Sequence, residues 1–115
     1  MRSILAILGL AVLIVSCAYD NAEELYGLQD CPEGGTSFSQ AVNPIIQTNC
    51  AIPGCHVNGG QPPALTTYTE ISANGQLIET RTSNGTMPPP TSGKSLTKEE
   101  IDAIACWVEA GTPNN

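Results

Sequence analysis

The chain has 115 residues and carries four Lys and Arg against eleven Asp and Glu, a formal net charge of −7. Such an acidic balance argues against nucleic acid or anionic lipid headgroups as partners, both of which it would repel. One Phe, one Trp and three Tyr rule out a large aromatic core, and 11 Gly with 9 Pro assign much of the chain to loops.

In chain order, the opening "MRSILAILGLAVLIVSC" has a short positive start at Arg2 and a nearly unbroken apolar run over residues 4–15. The run is short for a membrane span, has no polar face at helical spacing, and matches the apolar segment of a secretory leader. Ile14, Val15, Ser16 and Cys17 resemble a bacterial lipobox. On that reading residues 1–16 are a signal peptide, Cys17 is lipidated, and acyl chains anchor the protein. Export to the bacterial cell envelope follows. Ala18 after the cysteine resembles the outer-membrane sorting choice of enteric bacteria, with the protein facing the periplasm or the surface. Residues 17–30 are polar and acidic and read as a flexible tether. Residues 31–115 then form the compact domain, too short for a thick core and suited to a disulfide, metal or cofactor. Only Arg81, Lys94 and Lys98 remain as cations in the mature chain. A basic partner suits that balance, although an acidic solvated surface needs no partner at all.

Three helices are predicted, separated by irregular loops. The first starts with Asn43 as N-cap and Pro44 at the first helical position, and reaches Cys50; Thr36 or Ser37 caps a preceding turn. The second is short, capped by Thr69 and closed by Gly75 in a left-handed conformation, with "QLIETRT" after it as a further turn or an extended piece. The third has the clearest signals. Thr97 and Glu100 form a capping box, Leu96 and Ile101 a hydrophobic staple, and Gly111 ends it. Its stripe is Ile101, Ile104, Ala105 and Val108. No segment alternates with period two, so the fold class is all-α.

Five cysteines and one histidine carry the chemistry. Lipidation takes Cys17, and Cys31, Cys50, Cys55 and Cys106 remain in an oxidising compartment, where four cysteines allow three pairings. Zinc would need a fourth ligand beside Cys50, Cys55 and His56. A disulfide-only domain leaves His56 without a role. The stretch "NCAIPGCHV" also has the ingredients of covalent haem attachment: two thiols for the two vinyl groups, and a histidine directly after the second cysteine as axial ligand. The usual signature separates the cysteines by two residues; here four intervene, and Pro53-Gly54 suits a tight turn. With one histidine in the chain, the second axial ligand falls to Met87, in the polar, proline-rich stretch "SNGTMPPP". A core gap-filler would have more apolar company.

These pieces together resemble the cytochrome c family, and more closely the small monohaem c-type domains of exported bacterial lipoproteins. The matching elements are "VNPIIQTNC", "GCH", "GGQPPALTTY", "MPP" and "LTKEEIDAIACWVEAG", in the family's order over residues 36–112. The resemblance implies a cytochrome c-like fold in which the first and last helices cross and about three helices pack around one covalent haem. It implies thioethers at Cys50 and Cys55 and axial ligation by His56 and Met87. A proline carbonyl, of Pro62 or Pro63, would accept a hydrogen bond from His56. Cys31 and Cys106 would meet where the helices cross; the disulfide would close a loop of about 75 residues, worth roughly 4 kcal/mol. Arg81 would meet a haem propionate or lie at the surface, and Trp107 and Tyr68 would pack at the ring edge, Trp107 alternatively in the core. The implied activity is single-electron transfer to redox partner proteins, by a monomeric carrier rather than a catalyst. The competing readings are a haem sensor or peroxidase-like protein with a labile Met87, and a haem-free, disulfide-bonded surface lipoprotein that binds a partner.

Overall fold

The computed structural model describes residues 30–115. The leader, Cys17 and all but the last residue of the tether lie outside the described residues. Among the described residues every regular element is helical: a π-helical turn Phe38–Val42, α1 Asn43–Asn49, α2 Tyr68–Ala73, α3 Gly75–Ser83, a 3-10 turn Pro90–Ser92, and α4 Lys98–Glu109. The fold is all-α, with four α-helices where three were expected.

The first helix begins earlier than predicted. Asn43 is not its cap; its backbone is already helical, and its side chain accepts a bond from Gln47 instead. The start is Ser37, whose hydroxyl accepts from the Gln40 N–H and whose carbonyl takes the Val42 N–H across a widened turn, at 3.2 Å. That widening precedes Pro44, whose ring would crowd the Gln40 carbonyl in an uninterrupted α-helix. Two amides that no helix can satisfy internally are taken by the far end of the chain. Phe38 N–H donates to Asn115 Oδ1 and Ser39 N–H to the Asn115 carbonyl, both at 2.8 Å.

The second helix is capped by Thr67, not Thr69, in a full capping box with Glu70. The Glu70 carboxylate also accepts from the Thr66 hydroxyl and amide, which, the hydroxyl foremost, hold its carboxyl below the usual range. Gly75 does not end that helix in a left-handed turn; it is the first residue of α3, so "QLIETRT" is helical. The reason is packing. Gly75 is buried, and a Cβ there would lie 2.9 Å from Thr112 Cγ2 and 3.5 Å from Trp107 and Val108.

The capping box of Thr97 and Glu100 opens α4 as predicted. Its buried face is turned somewhat from the predicted stripe: Ile104, Cys106, Trp107 and Val108 are buried, while Ile101 and Ala105 are half-buried. α4 packs on α3 and on the π-helical turn. Phe38 sits at their junction, edge-on to Tyr68 at 5.0 Å between centroids and tilted against Trp107 at 5.6 Å. Trp107 is fully buried and its indole N–H donates to the Pro113 carbonyl at 2.9 Å. Val42, Ile46, Ile71 and Ile104 complete this core. Cys31 and Cys106 are disulfide-bonded, their Cα atoms 5.3 Å apart, which ties the segment before the first helix to α4.

Candidate functional site

The stretch from Cys50 to His56 is a closed backbone loop. Cys50 ends α1, its amide bonded to the Ile46 carbonyl at 2.8 Å, and its own carbonyl accepts the His56 N–H at 3.0 Å. The four intervening residues loop out between these points, turning through Gly54 at φ +81°, a conformation that favours glycine. Cys55 N–H returns to the Ile52 carbonyl at 2.9 Å. The longer spacer therefore does not break the backbone link between Cys50 and the Cys55–His56 pair; it is taken up in the loop. The following segment folds back as tightly. Gln61 N–H reaches the Cys55 carbonyl and Leu65 N–H the His56 carbonyl. Gly60 lies so close that a Cβ would stand 2.2 Å from the Cys55 oxygen.

His56 Nδ1 lies 2.8 Å from the Pro63 carbonyl oxygen. A carbonyl can only accept, so Nδ1 carries a proton, and in the neutral ring the lone pair is on Nε2. Of the two prolines named from the sequence, Pro63 makes the contact. Cys50 and Cys55 are free thiols. Burial, and secondarily the neighbouring Cys55, push the Cys50 thiol up to about 11.

Cys50, Cys55, His56 and Pro63 all border one cavity of about 530 Å³. That lies within the range of roughly 300–1,000 Å³ typical of small-molecule and cofactor sites. α3 supplies another wall through Leu77, Ile78, Arg81 and Thr82, and the segment after it supplies Met87, Pro88, Pro89, Ser92 and Lys94. Met87 is 36% exposed and outside the hydrophobic core, and its amide is held by the Arg81 carbonyl at 3.0 Å. The Lys94 ammonium donates to the Thr48 carbonyl at 3.2 Å, tying this segment to α1. Thr82 is buried, its hydroxyl bonded to the Ile78 carbonyl at 2.9 Å.

The structure thus brings Cys50, Cys55, His56, Pro63, Met87 and Arg81 to one cavity. It does not bring Trp107 and Tyr68 there. Trp107 lies in the core, and Tyr68 packs on Phe38 and donates to the Thr112 carbonyl. Both follow from Phe38, which offers these rings an aromatic partner away from the cavity. Of the α3 wall sequence reasoning named only Arg81, and it missed Leu77, Ile78, Thr82 and Lys94. The available signal was Leu77, Ile78, Arg81 and Thr82, which recur at helical spacing and share a face. Among the described residues no three His, Cys, Asp or Glu side chains gather as a metal-holding group.

Compared with protein-family models, with curated proteins and with solved structures, the chain shows no match.

The donor set fits a covalent haem. Two thiols stand free although Cys31 and Cys106 are oxidised, an imidazole is oriented through Nδ1 by the Pro63 carbonyl, and a thioether borders the same cavity. The remaining walls are largely apolar, as a porphyrin face requires.

Proposed function

We propose that this chain is a monohaem c-type cytochrome of the cytochrome c family, an exported lipoprotein that transfers single electrons in the bacterial cell envelope. The observation that carries the reading is the Cys50–His56 loop, which holds two free thiols and a Pro63-oriented histidine on one cavity shared with Met87. A bound haem supplies iron that takes up and releases one electron.

In this reading Cys50 and Cys55 would hold the ring through thioether bonds, and His56 and Met87 would hold its iron. Pro63 orients the imidazole and raises its basicity. Methionine ligation would raise the potential relative to two histidines, and with both His56 and Met87 holding the iron the protein would be a carrier rather than a catalyst. Cys17 anchors it to the membrane, probing redox partner proteins from a flexible tether. The test is a pyridine haemochrome spectrum of protein made together with haem-attachment machinery. Covalent haem is expected, and its absence would refute the assignment. Met87→Ala should abolish the methionine-ligated low-spin spectrum.

The exposure of Met87 favours one second reading, a sensor or peroxidase-like protein in which Met87 leaves the iron. Carbon monoxide binding by the native protein would support it; no binding supports the carrier.

A further inference from the structure

Asparagine followed by glycine occurs at Asn58-Gly59, Asn74-Gly75 and Asn84-Gly85. The dipeptide is a turn signal. It is also where a thermolabile asparagine amide is lost most readily, because glycine has no side chain to shield its backbone nitrogen from the asparagine Cγ. Whether that chemistry runs depends on whether nitrogen and Cγ are free to meet. The fold treats the three pairs differently.

Asn74 is pinned. Its Nδ2 donates to the Glu70 carbonyl at 2.8 Å, and Gly75 is buried against Thr112, Trp107 and Val108. Asn84 is held at both reacting groups. Its Oδ1 accepts from the Thr86 hydroxyl at 2.6 Å and the Thr86 amide at 3.1 Å, and the Gly85 N–H donates to the Thr82 carbonyl at 3.2 Å. Asn58 and Gly59 are exposed, and neither makes a hydrogen bond to any described residue. They are the two central residues of a turn closed by the Gly60 N–H on the Val57 carbonyl at 2.9 Å, with Gly59 at φ +80°, the type II arrangement. Even a Cβ on Gly59 would meet nothing within 4 Å. The peptide between residues 58 and 59 can therefore rotate in place until the Gly59 nitrogen faces the Asn58 Cγ.

We propose that Asn58 is a self-modification site, with water as the only co-reactant and ammonia as the leaving group. The Gly59 nitrogen gives up its proton and attacks Cγ. The new C–N bond closes a cyclic imide as the Cγ–Nδ2 bond breaks, and Nδ2 leaves as ammonia with that proton. Water then opens the ring at either carbonyl, and no atom is oxidised or reduced. Opening at Cγ gives aspartate on the original backbone. Opening at the main-chain carbonyl of residue 58 gives isoaspartate, whose backbone runs through Cβ and Cγ and is longer by a methylene. That methylene falls inside the Val57–Gly60 turn, between His56 and the Pro63 carbonyl that orients it. Isoaspartate therefore releases the Gly60 N–H from Val57 and loosens the adjoining bond from Gln61 to Cys55. A surface residue that touches no neighbour thus controls how tightly the segment after His56 is folded.

The experiment ages the full-length protein, as purified, at mildly alkaline pH, where the glycine nitrogen loses its proton more readily. Peptide mass spectrometry follows each asparagine, and isoaspartate methyltransferase marks the rearranged product. Asn58 should convert at least about tenfold faster than Asn74 and Asn84, the factor that one or two hydrogen bonds to be broken first amount to. In denaturant the three rates should converge. Asn58→Gln should stop conversion at this position, because its longer side chain closes the ring poorly. After conversion to isoaspartate, amide hydrogen exchange at Gly60 and Gln61 should speed up, whereas Asn58→Asp, which adds the charge without the methylene, should leave it unchanged. Equal rates at the three asparagines of the folded chain, earlier conversion of Asn74 or Asn84, or a ranking that survives unfolding would overturn the proposal. Unchanged exchange at Gly60 and Gln61 after conversion would overturn the link to the His56 segment. No readout involves haem, so this inference and the haem reading stand or fall separately.

Discussion

The side of the domain where α4 meets Phe38 and the side around the Cys50–His56 loop are built on opposite principles. On the first, every strong group has found an internal partner. Trp107 bonds to Pro113, Tyr68 to Thr112, Phe38 contacts both rings, and two cysteines are joined. On the second, two cysteines stay reduced, His56 keeps one nitrogen available, and Met87 stands partly exposed beside two cations. Residues of the same kind, cysteine above all, are thus consumed for stability in one place and held ready for chemistry in the other. The first region can be read as the frame and the second as what the frame presents.

The division is tested most severely at Trp107. Trp107→Ala should cost about 3–5 kcal/mol, the range for emptying a fully buried aromatic site, read as a fall in thermal midpoint of the haem-free chain. The Cys31→Ser, Cys106→Ser pair comes next, at roughly 4 kcal/mol in the chain-entropy description of a loop of this length. In each case the Cys50–His56 backbone bonds lie elsewhere, so haem binding measured well below the new midpoint should persist. If either change instead abolished binding at temperatures where the chain is still folded, frame and site would not be separable.

A third way to sharpen the contrast is thiol chemistry. The Cys50 thiol, pushed from the ordinary 9.0 to about 11 by burial and then by Cys55, supplies about a hundredfold less thiolate at pH 8 than an unshifted thiol, so its alkylation should be about a hundredfold slower. Mass spectrometry of iodoacetamide-treated, haem-free protein should show labelling at Cys50 last. The same shift has a stability consequence. Because the folded-state value is raised, the folded chain holds the proton more tightly than the unfolded one. Its contribution is complete below pH 9 and is lost as pH rises from 9 toward 11. Cys50→Ser should flatten that decline. Rapid labelling of Cys50 at pH 8 would mean that its burial is not maintained in solution.

Much of this arrangement was legible beforehand, for local reasons. The Thr97–Glu100 capping box and the adjacency of Cys55 and His56 depend on residues a few positions apart, and such signals survive folding largely intact. Most errors arose where distant segments decide. Thr67 rather than Thr69 caps α2 for a local reason, the capping box with Glu70, whose carboxylate also gathers Thr66. Gly75 was read as a helix end from its backbone freedom, yet its small size under Thr112 is what matters. Trp107 takes the core position its sequence favoured, whereas Tyr68 packs on Phe38 instead of a ligand. Lys94 was invisible because its partner, the Thr48 carbonyl, lies 46 positions away. The rest of the α3 wall was missed because its polar sequence carries only a weak apolar stripe.

The least obvious of these distant contacts gives the smallest predicted effect. Asn115 lies 77 positions from Phe38 and accepts its amide through Oδ1, while the Asn115 carbonyl accepts from Ser39. A residue at the far end of the sequence therefore does the work of an N-cap for the helix that leads to Cys50. Asn115→Ala removes the side-chain acceptor and leaves the backbone one, so the loss should be about 1 kcal/mol, typical of a deleted cap. Asn115→Asp restores an acceptor at the same atom and adds negative charge at the positive end of the helix, so it should equal or exceed the parent. Denaturant midpoints of the three haem-free proteins decide the matter. An Asp variant no better than Ala would show that the tail contributes through its backbone alone, and that Ser37, through Gln40, is the only side-chain cap the helix requires.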